Sequence, residues 1–352
     1  MSYTYQEIQD LITSTLYHDV KNKVANVNPT RIRRLPLTYM FLMQNKASIN
    51  FGRDLRFTVN VAGKNTGQWI RSYHVAERSQ TDHLAQLTSR CKIYFDHWAF
   101  DLLEEDFNSG TEQIVDLIRN RDQQTQISIY EMIERALATF ADTNEPDKMQ
   151  GLLYHLPYCS TEGFVGTYPG SHTDWQGVNV SNSPYTGMKS YGAQYSAVTE
   201  DDLFAKARLA SEKTRYESPL PSMLIGEPGS GPRWHIFTEI SVKLDCEDYV
   251  KGQNDSVGWD IDAGYSKAMF HGNKIEAVPA WESGTEATRK PFMAVNAGEF
   301  KFMMEKGWWM KRKTHAPNST QPTVINNDIH CSGQLVCFNR SQAGFNIAKA
   351  AS

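Results

Sequence analysis

The chain has 352 residues, of which 40% are hydrophobic and 22% are charged, a composition that supports one large hydrophobic core or two to three modest ones. Its formal net charge of -4 excludes a protein that holds a nucleic-acid backbone or an anionic membrane by net positive charge alone.

The N-terminal residues do not have the pattern of a secretory signal. Glu7 and Asp10 lie where such a signal has positive charge followed by an apolar run, and no later run approaches the roughly 18 apolar residues of a membrane span. The five cysteines are an odd number without a CxxC motif, which favours reduced, buried thiols over a disulfide framework. We therefore expect a protein that is made and kept in a cytoplasm.

The first predicted element is an amphipathic helix. Thr4 and Glu7 have capping-box spacing, and apolar residues then recur on one helical face as far as Val20. Residues 25 to 46 contain two prolines and lack periodicity, which indicates an extended arm lying on another surface. A solvated linker is the alternative interpretation of this segment.

A β-hairpin is predicted next. From Leu55 to Val61 apolar and polar residues alternate strictly, residues 63 to 67 have the composition of a turn, and Gln68 to Val75 have strand character. Two-stranded hairpins are marginally stable in water, so we expect this one to need a partner surface.

The clearest predicted element is a very long helix. Cys91 to Phe107 are rich in β-branched and aromatic residues and predict a strand, after which Ser109 and Glu112 have capping-box spacing. Helical periodicity then continues to Phe140 without glycine or proline. About thirty residues at 1.5 Å each give a helix on the order of 45 Å long, which predicts an elongated molecule.

The second half of the chain has a mixed pattern. Residues 150 to 198 are crowded with Gly, Ser, Asn, Tyr and Trp, which favours irregular structure and short strands, and a helix is predicted from Glu200 to Tyr216. Apolar segments separated by turns then continue to a strand-rich C-terminal part, which begins near Phe300 and includes Ile329 to Ile347. The sequence predicts an α+β fold.

None of the candidate chemical motifs is convincing. Residues 226 to 231 have the glycine spacing of a phosphate-binding loop, but Pro232 and Arg233 replace the required Lys and Ser or Thr. His155 and Cys159 are too loosely spaced for a zinc site, with Pro157 between them.

Two further motifs are equally weak. Ser171 to Asp174 hold the residue types of a hydrolytic triad in one stretch, whereas real triads join distant segments, and Asp260 and Asp262 form an isolated DxD. We expect no catalytic residue, metal or cofactor.

Three stretches resemble one branch of the tailed-bacteriophage major capsid proteins, which have the Hong Kong phage-type capsid fold shared with encapsulins. They are KIYFDHWAFDLLEEDFNSGTEQIVDLI, NEPDKMQGLLYHLP and SGQLVCFNRSQAGFNI, and they stand in the family's order. The order of segments, with an arm, a long hairpin, a very long helix, an aromatic-rich insertion and returning strands, is similar too. The resemblance covers roughly residues 45 to 350.

The resemblance implies a division of the chain into an N-terminal arm (1–46), an extension-loop hairpin (47–85), a peripheral domain with a long spine helix (86–150 and 291–352) and an axial domain (151–290). In such a fold the arm and the hairpin lie across neighbouring subunits. We therefore expect inter-subunit contacts from the basic, polar and aromatic side chains of these segments: Arg31, Arg33, Arg34, Arg53, Arg56, Lys64, Asn65 and Trp69. A second basic run, Lys311 to Lys313 beside Trp308 and Trp309, is either solvated or touches phosphates or an acidic neighbour.

The function that the resemblance implies is structural, not enzymatic. Copies of the chain would form the pentamers and hexamers of an icosahedral head shell around double-stranded DNA, which they touch without sequence preference. The implied partners are a portal protein and a scaffolding protein, the latter because no scaffolding segment of about a hundred residues precedes the hairpin. The resemblance also allows a decoration protein. The shell would assemble in the host cytoplasm and become part of the virion.

Some members of this family join subunits through a Lys to Asn isopeptide bond. Lys64 lies at the predicted hairpin turn, but no partner Asn or assisting Glu matches a motif here, so we expect no crosslink. The alternatives to a phage shell are an encapsulin-type nanocompartment and, less favoured, a hydrolase that uses residues 151 to 200.

Overall fold

The computed structural model describes residues 34–44, 46–49, 54–61, 69, 71, 84–102, 111–215, 234–253, 269–317 and 323–350. The helices are α1 (Pro36–Thr38, continued as a π-helix over Tyr39–Gln44), α2 (Thr111–Ala138), α3 (Leu152–His155), α4 (Ala205–Thr214, preceded by a π-helix over Glu200–Phe204), α5 (Ile240–Gln253) and α6 (Thr285–Arg289). Short 3-10 helices cover Tyr185–Met188, Pro279–Glu282 and Ala297–Glu299.

The strands are β1 (Lys46–Ile49), β2 (Asp54–Asn60), β3 (Leu84–Arg90), β4 (Lys92–Asp101), β5 (Gly163–Val165), β6 (Ser190–Tyr195), β7 (Trp234–Thr238), β8 (Met269–Phe270), β9 (Asn273–Ala277), β10 (Phe292–Asn296), β11 (Phe300–Glu305), β12 (Lys311–His315), β13 (Val324–Cys337) and β14 (Gly344–Lys349). Helices and strands are both abundant, so the predicted α+β class is confirmed.

The long predicted helix is α2, whose 28 residues span about 42 Å. The described buried positions, from Ile118 through Ile129 to Leu137, recur every three to four residues, so one stripe of the helix faces the core. Its C-terminal end is held by Trp281, whose Nε1 donates to the carbonyl oxygen of Ala138 at 2.8 Å. This helix is the spine around which both ends of the described chain are arranged.

A five-stranded sheet packs on the spine helix. The long strand β13 pairs with β4 along one edge, and with β12 and then β11 along the other, while β1 adds in parallel to β11. The inward side chains of β11 and β13, such as Phe302 and Ile329, join Ile129, Ile133 and Leu137 of α2 in one hydrophobic core. The predicted strand-rich C-terminal part is therefore confirmed.

A seven-stranded sheet, in the order β5-β6-β14-β10-β7-β9-β8, forms the second layer. Its central strand β10 is buried on both faces: Met293 and Val295 contribute to the core beside α2, and Phe292 and Ala294 to a second core under α4. Because β10 contributes side chains to both cores, it joins the two cores directly.

The predicted hairpin differs in its pairing. The described partner of β2 is β3, from Leu84 to Arg90, a segment in which the sequence predicts no strand. The predicted second strand, Gln68 to Val75, lies outside the described residues except at Trp69 and Arg71. The sequence pattern of β3 is weak because only Ala85 and Leu87 face inward and the apolar Leu84 faces outward.

The arm prediction is wrong for residues 36 to 44, which are helical and mostly buried instead of extended. Pro36 occupies the first helical position, where a missing N–H costs nothing, and Leu37 and Phe41 are fully buried against the spine helix core. The predicted helix near the N-terminus lies outside the described residues.

The predicted domain boundaries stay a prediction. Sheet membership cuts across them, because β10 and β14 fall in the segment assigned to the peripheral domain yet pair within the seven-stranded sheet.

Candidate interaction surfaces

Of the eight residues predicted at subunit contacts, the structure describes three. Trp69 is fully exposed, and Arg56 is exposed on the outer face of β2. Arg34 lies at the surface, where its Nη2 is 2.9 Å from Oε1 of Glu276 in β9 of the same chain. The other five lie outside the described residues: Arg31, Arg33, Arg53, Lys64 and Asn65.

The base of the hairpin is anchored to its own chain. Phe57 makes an edge-to-face contact with Phe338, with ring centroids 5.3 Å apart, and Leu87 is fully buried. The backbone N–H of Thr88 donates to the carbonyl oxygen of Gln176 at 2.9 Å. The partner surface that the sequence predicts for this hairpin is therefore provided, at the base of the hairpin, by the same subunit.

The opposite face of the hairpin is exposed and mostly polar, with the apolar Leu84, 65% exposed, at its end. Arg56 lies opposite Thr88 and Thr58 opposite Gln86, all with exposed side chains. Such a face gains little from folding within the subunit but provides donors and acceptors for another molecule.

The helical arm segment is fastened to the spine helix by one carboxylate. Leu35, the residue before α1, has no side chain that can cap the helix. Glu134 of α2 takes this role: Oε1 accepts from the N–H of Leu37 at 3.2 Å and Oε2 from the N–H of Thr38 at 2.6 Å. Burial raises the pKa of Glu134, and these hydrogen bonds oppose that shift.

The basic run from Lys311 to Lys313 divides between the two faces of the five-stranded sheet, because side chains alternate along a strand. Arg312 points inward, where Nε and Nη2 bind the two carboxylate oxygens of Asp122 in α2 at 3.1 and 2.8 Å. Lys311 and Lys313 are exposed on the other face, and Lys311 Nζ lies 4.4 Å from the ring centroid of Trp308.

That exposed face carries a row of stacked rings that the sequence analysis missed. The ring of Phe95 stacks on His97 and on His330, with centroids 5.8 and 5.5 Å away, and Trp308 meets His330 edge to face. Phe95 remains 51% exposed. The alternation in KIYFDHWAF contained the signal, since Phe95 and His97 are two residues apart and share a face.

The candidate metal ligands His155 and Cys159 lie in the core of the protein. His155 is fully buried and its Nδ1 accepts from Nε1 of Trp175 at 3.0 Å; burial, and then the nearby Arg340 guanidinium, lower its pKa to about 3. Burial raises the pKa of the Cys159 thiol. Among the described residues, no group of three or more His, Cys, Asp or Glu is arranged to hold a metal ion.

The triad-like stretch does not assemble as a triad either. Ser171 donates from its N–H and its hydroxyl to Oδ1 of Asp142, 29 positions away, and these bonds lower the pKa of Asp142 to about 2. His172 Nε2 lies 2.7 Å from the carbonyl oxygen of Ala141. The contacts fix one loop against another. Residues 226 to 231, Asp260 and Asp262 lie outside the described residues.

Within the described part of the chain, no helix combines the length and the apolar character needed to cross a membrane.

Comparison with known proteins gives a fold but no close relative. No family model and no curated protein sequence matches the chain. Among solved structures, the capsid of cyanophage A-1(L) is 13% identical with a TM-score of 0.64, and the match covers 94% of this chain and 97% of that one. The capsid of an empty GTA particle is 10% identical with a TM-score of 0.59, covering 92% and 100%.

The encapsulin SrpI of Synechococcus elongatus is 11% identical with a TM-score of 0.53, and the match covers 94% of both chains. The chain has the fold of these phage capsid and encapsulin proteins, as its sequence motifs predicted.

Proposed function

We propose, from the premise that the chain has the Hong Kong phage-type capsid fold, that it is the major capsid protein of a tailed phage. Its copies form an icosahedral shell of pentamers and hexamers around double-stranded DNA. The observation that carries this proposal is the extent of the likeness, which spans 94% of this chain and 97% of the cyanophage capsid chain. A fold shared over this much of both chains supports a shared use as a shell subunit.

The geometry suits a shell subunit. The spine helix is about 42 Å long. Glu134 binds the arm helix to it, and Phe57 packs the base of the hairpin on Phe338, so both segments have fixed starting points on the subunit. Identical copies related by rotation then meet through repeated head-to-tail contacts, and such contacts close into rings. We propose that the hairpin's polar face, Trp69 and the arm arginines lie at these contacts.

The surface also suits a container for DNA. The two exposed lysines of β12 share their sheet face with Asp101 and Asp328, and the third basic residue of that run is neutralised by Asp122. A wall without a strong positive field lets packaged DNA move and leave. We further propose a separate scaffolding protein and a portal protein as assembly partners, an outer surface open to a decoration protein, and assembly in the host cytoplasm.

An encapsulin-type nanocompartment is the second candidate, favoured by the likeness to SrpI, whose TM-score of 0.53 is below the 0.64 of the cyanophage capsid. The two differ in cargo and in assembly requirements. A nanocompartment would form uniform shells from the chain by itself and enclose protein, whereas the phage shell would need scaffolding and would enclose DNA.

Electron microscopy of the purified protein, expressed with and without the neighbouring genes of its source genome, tests the proposal. We expect icosahedral particles whose uniformity depends on a co-expressed scaffolding protein. A stable monomer that never assembles would refute both shell functions, and uniform shells from the chain by itself would favour the nanocompartment. Particles boiled in detergent should give a single gel band near 40.0 kDa, and a ladder would reveal crosslinking.

A further inference from the structure

In the part of the chain that the structure describes, the strand β4 forms an open edge of the five-stranded sheet. Its described strand partner is β13, and the ten-residue register from Lys92 opposite Gly333 to Asp101 opposite Val324 has no interruption. Proteins usually protect such an edge with a bulge, a proline or an outward charge. Ile93 and Phe95 are uncharged; the next residue, Asp96, is charged, and its Oδ1 accepts from the N–H of His97 at 2.8 Å, so the unprotected stretch ends at Phe95.

The hydrogen-bonding groups of this edge can be assigned from its neighbours. Leu102 N–H donates to Thr323 O on the β13 side, while Ala99 O accepts from the side chain of Arg121 on the other side. Backbone groups alternate sides along a strand, so those of Ile93 and Phe95 point to the open edge. Neither residue has a hydrogen-bond partner there in the described part of the chain.

Apolar side chains accompany the open backbone. Ile93 is 38% and Phe95 51% exposed, and Phe95 begins the ring row that continues through His330. An extended strand laid along β4 would satisfy the backbone groups, and the surface carried with it would cover these side chains.

We infer that this edge is a subunit contact, at which an extended segment of a second copy of the chain pairs with Ile93 to Phe95 of β4. The inference rests on the proposed shell, in which copies of one chain are the neighbours. Nucleic acid fits less well for two reasons. Phosphates supply acceptors for the N–H groups but no donors for the carbonyls, and the face balances Lys311 and Lys313 against Asp101 and Asp328.

Hydrogen exchange of free subunits and assembled particles tests the pairing directly. We expect the amides of Ile93 and Phe95 to exchange at least about tenfold more slowly in particles. The amide of Tyr94 is the internal control, because it points to β13 and is protected in both states. A photo-crosslinking phenylalanine analogue at position 95 should join two copies of the chain.

A proline variant separates the backbone from the side chain. Ile93→Pro removes an N–H that makes no bond to the described residues of its own chain, so the subunit should keep its circular dichroism while the particle yield falls at least about tenfold. Ile93→Ala keeps that N–H and should reduce the yield less.

The outcomes distinguish this inference from the proposed function. If particles form but the amides of Ile93 and Phe95 exchange as fast as in free subunits, the inference is overturned and the proposed shell function stands. Protection present in DNA-filled particles and absent from empty ones assigns the edge to DNA and also overturns it. If the wild-type chain forms no oligomer at all, both fail.

Discussion

Replacing Glu134 should detach the arm helix from the spine. In Glu134→Ala the N–H groups of Leu37 and Thr38 lose their acceptor at a position where Glu134 is 3% exposed, so little water reaches them. Because the helix begins at Pro36, which has no N–H, these groups are its first two donors, and the preceding residue, Leu35, offers no side-chain cap. The variant therefore leaves two unpaired donors in the core.

The magnitude follows from the two bonds. Hydrogen bonds to a charged group contribute roughly 1.5–3 kcal/mol each, which gives roughly 3–6 kcal/mol for the pair. Burial offsets part of this, because it raises the pKa of Glu134 and so disfavours the ionised form that binds best. We expect a net loss of about 2–4 kcal/mol for Glu134→Ala, and a smaller one for Glu134→Gln, which keeps one acceptor.

Urea unfolding of unassembled subunits measures the loss, and hydrogen exchange locates it at Leu37 and Thr38. The matched control is Glu131→Gln on the same helix, whose partner Arg135 is 73% exposed; such an exposed pair contributes at most about 0.5 kcal/mol. Equal stability of the two variants, or unchanged exchange of the two arm amides, would refute the role given to Glu134.

Three further perturbations test other parts of the fold. Burial raises the pKa of Glu299 to about 7, because it disfavours the ionised carboxylate. The contribution of the protonated group to stability is therefore present at low pH and is lost as the pH rises through that value. In thermal unfolding, Glu299→Gln should stabilise the subunit at pH 8 but not at pH 4. Gly151→Ala places a methyl group 2.1 to 2.6 Å from three carbonyl oxygens at the end of α2 and should cost at least about 3 kcal/mol. Gly298→Ala should cost less than about 1 kcal/mol, because its methyl group would make only an ordinary contact, 3.4 Å from Oδ1 of Asn296. Arg312→Met leaves the buried charge of Asp122 without a cation, although Gln126 Nε2 still donates to it at 2.6 Å, and should cost about 3 kcal/mol in urea unfolding. Lys313→Met, on the exposed face, should change stability by less than about 0.5 kcal/mol.

The sequence by itself determined the elements whose signals are local. The spine helix follows from apolar residues at helical spacing and from the absence of glycine and proline over 28 residues. The alternation from Leu55 to Val61 identified β2 and its buried face, and three motifs in order identified the fold.

Tertiary structure decided the choice of partners, because local patterns report conformation and facing but not which distant segment completes a pairing. Glu134 caps α1 from 97 positions away, a contact that no spacing rule reveals. In the same way, β2 pairs with Leu84–Arg90, and β10 and β14 enter the seven-stranded sheet. Arg312 points inward to Asp122, while its neighbours in β12 face solvent. The open edge of β4 emerged in the same way, since an edge exists only once the whole sheet has been assembled.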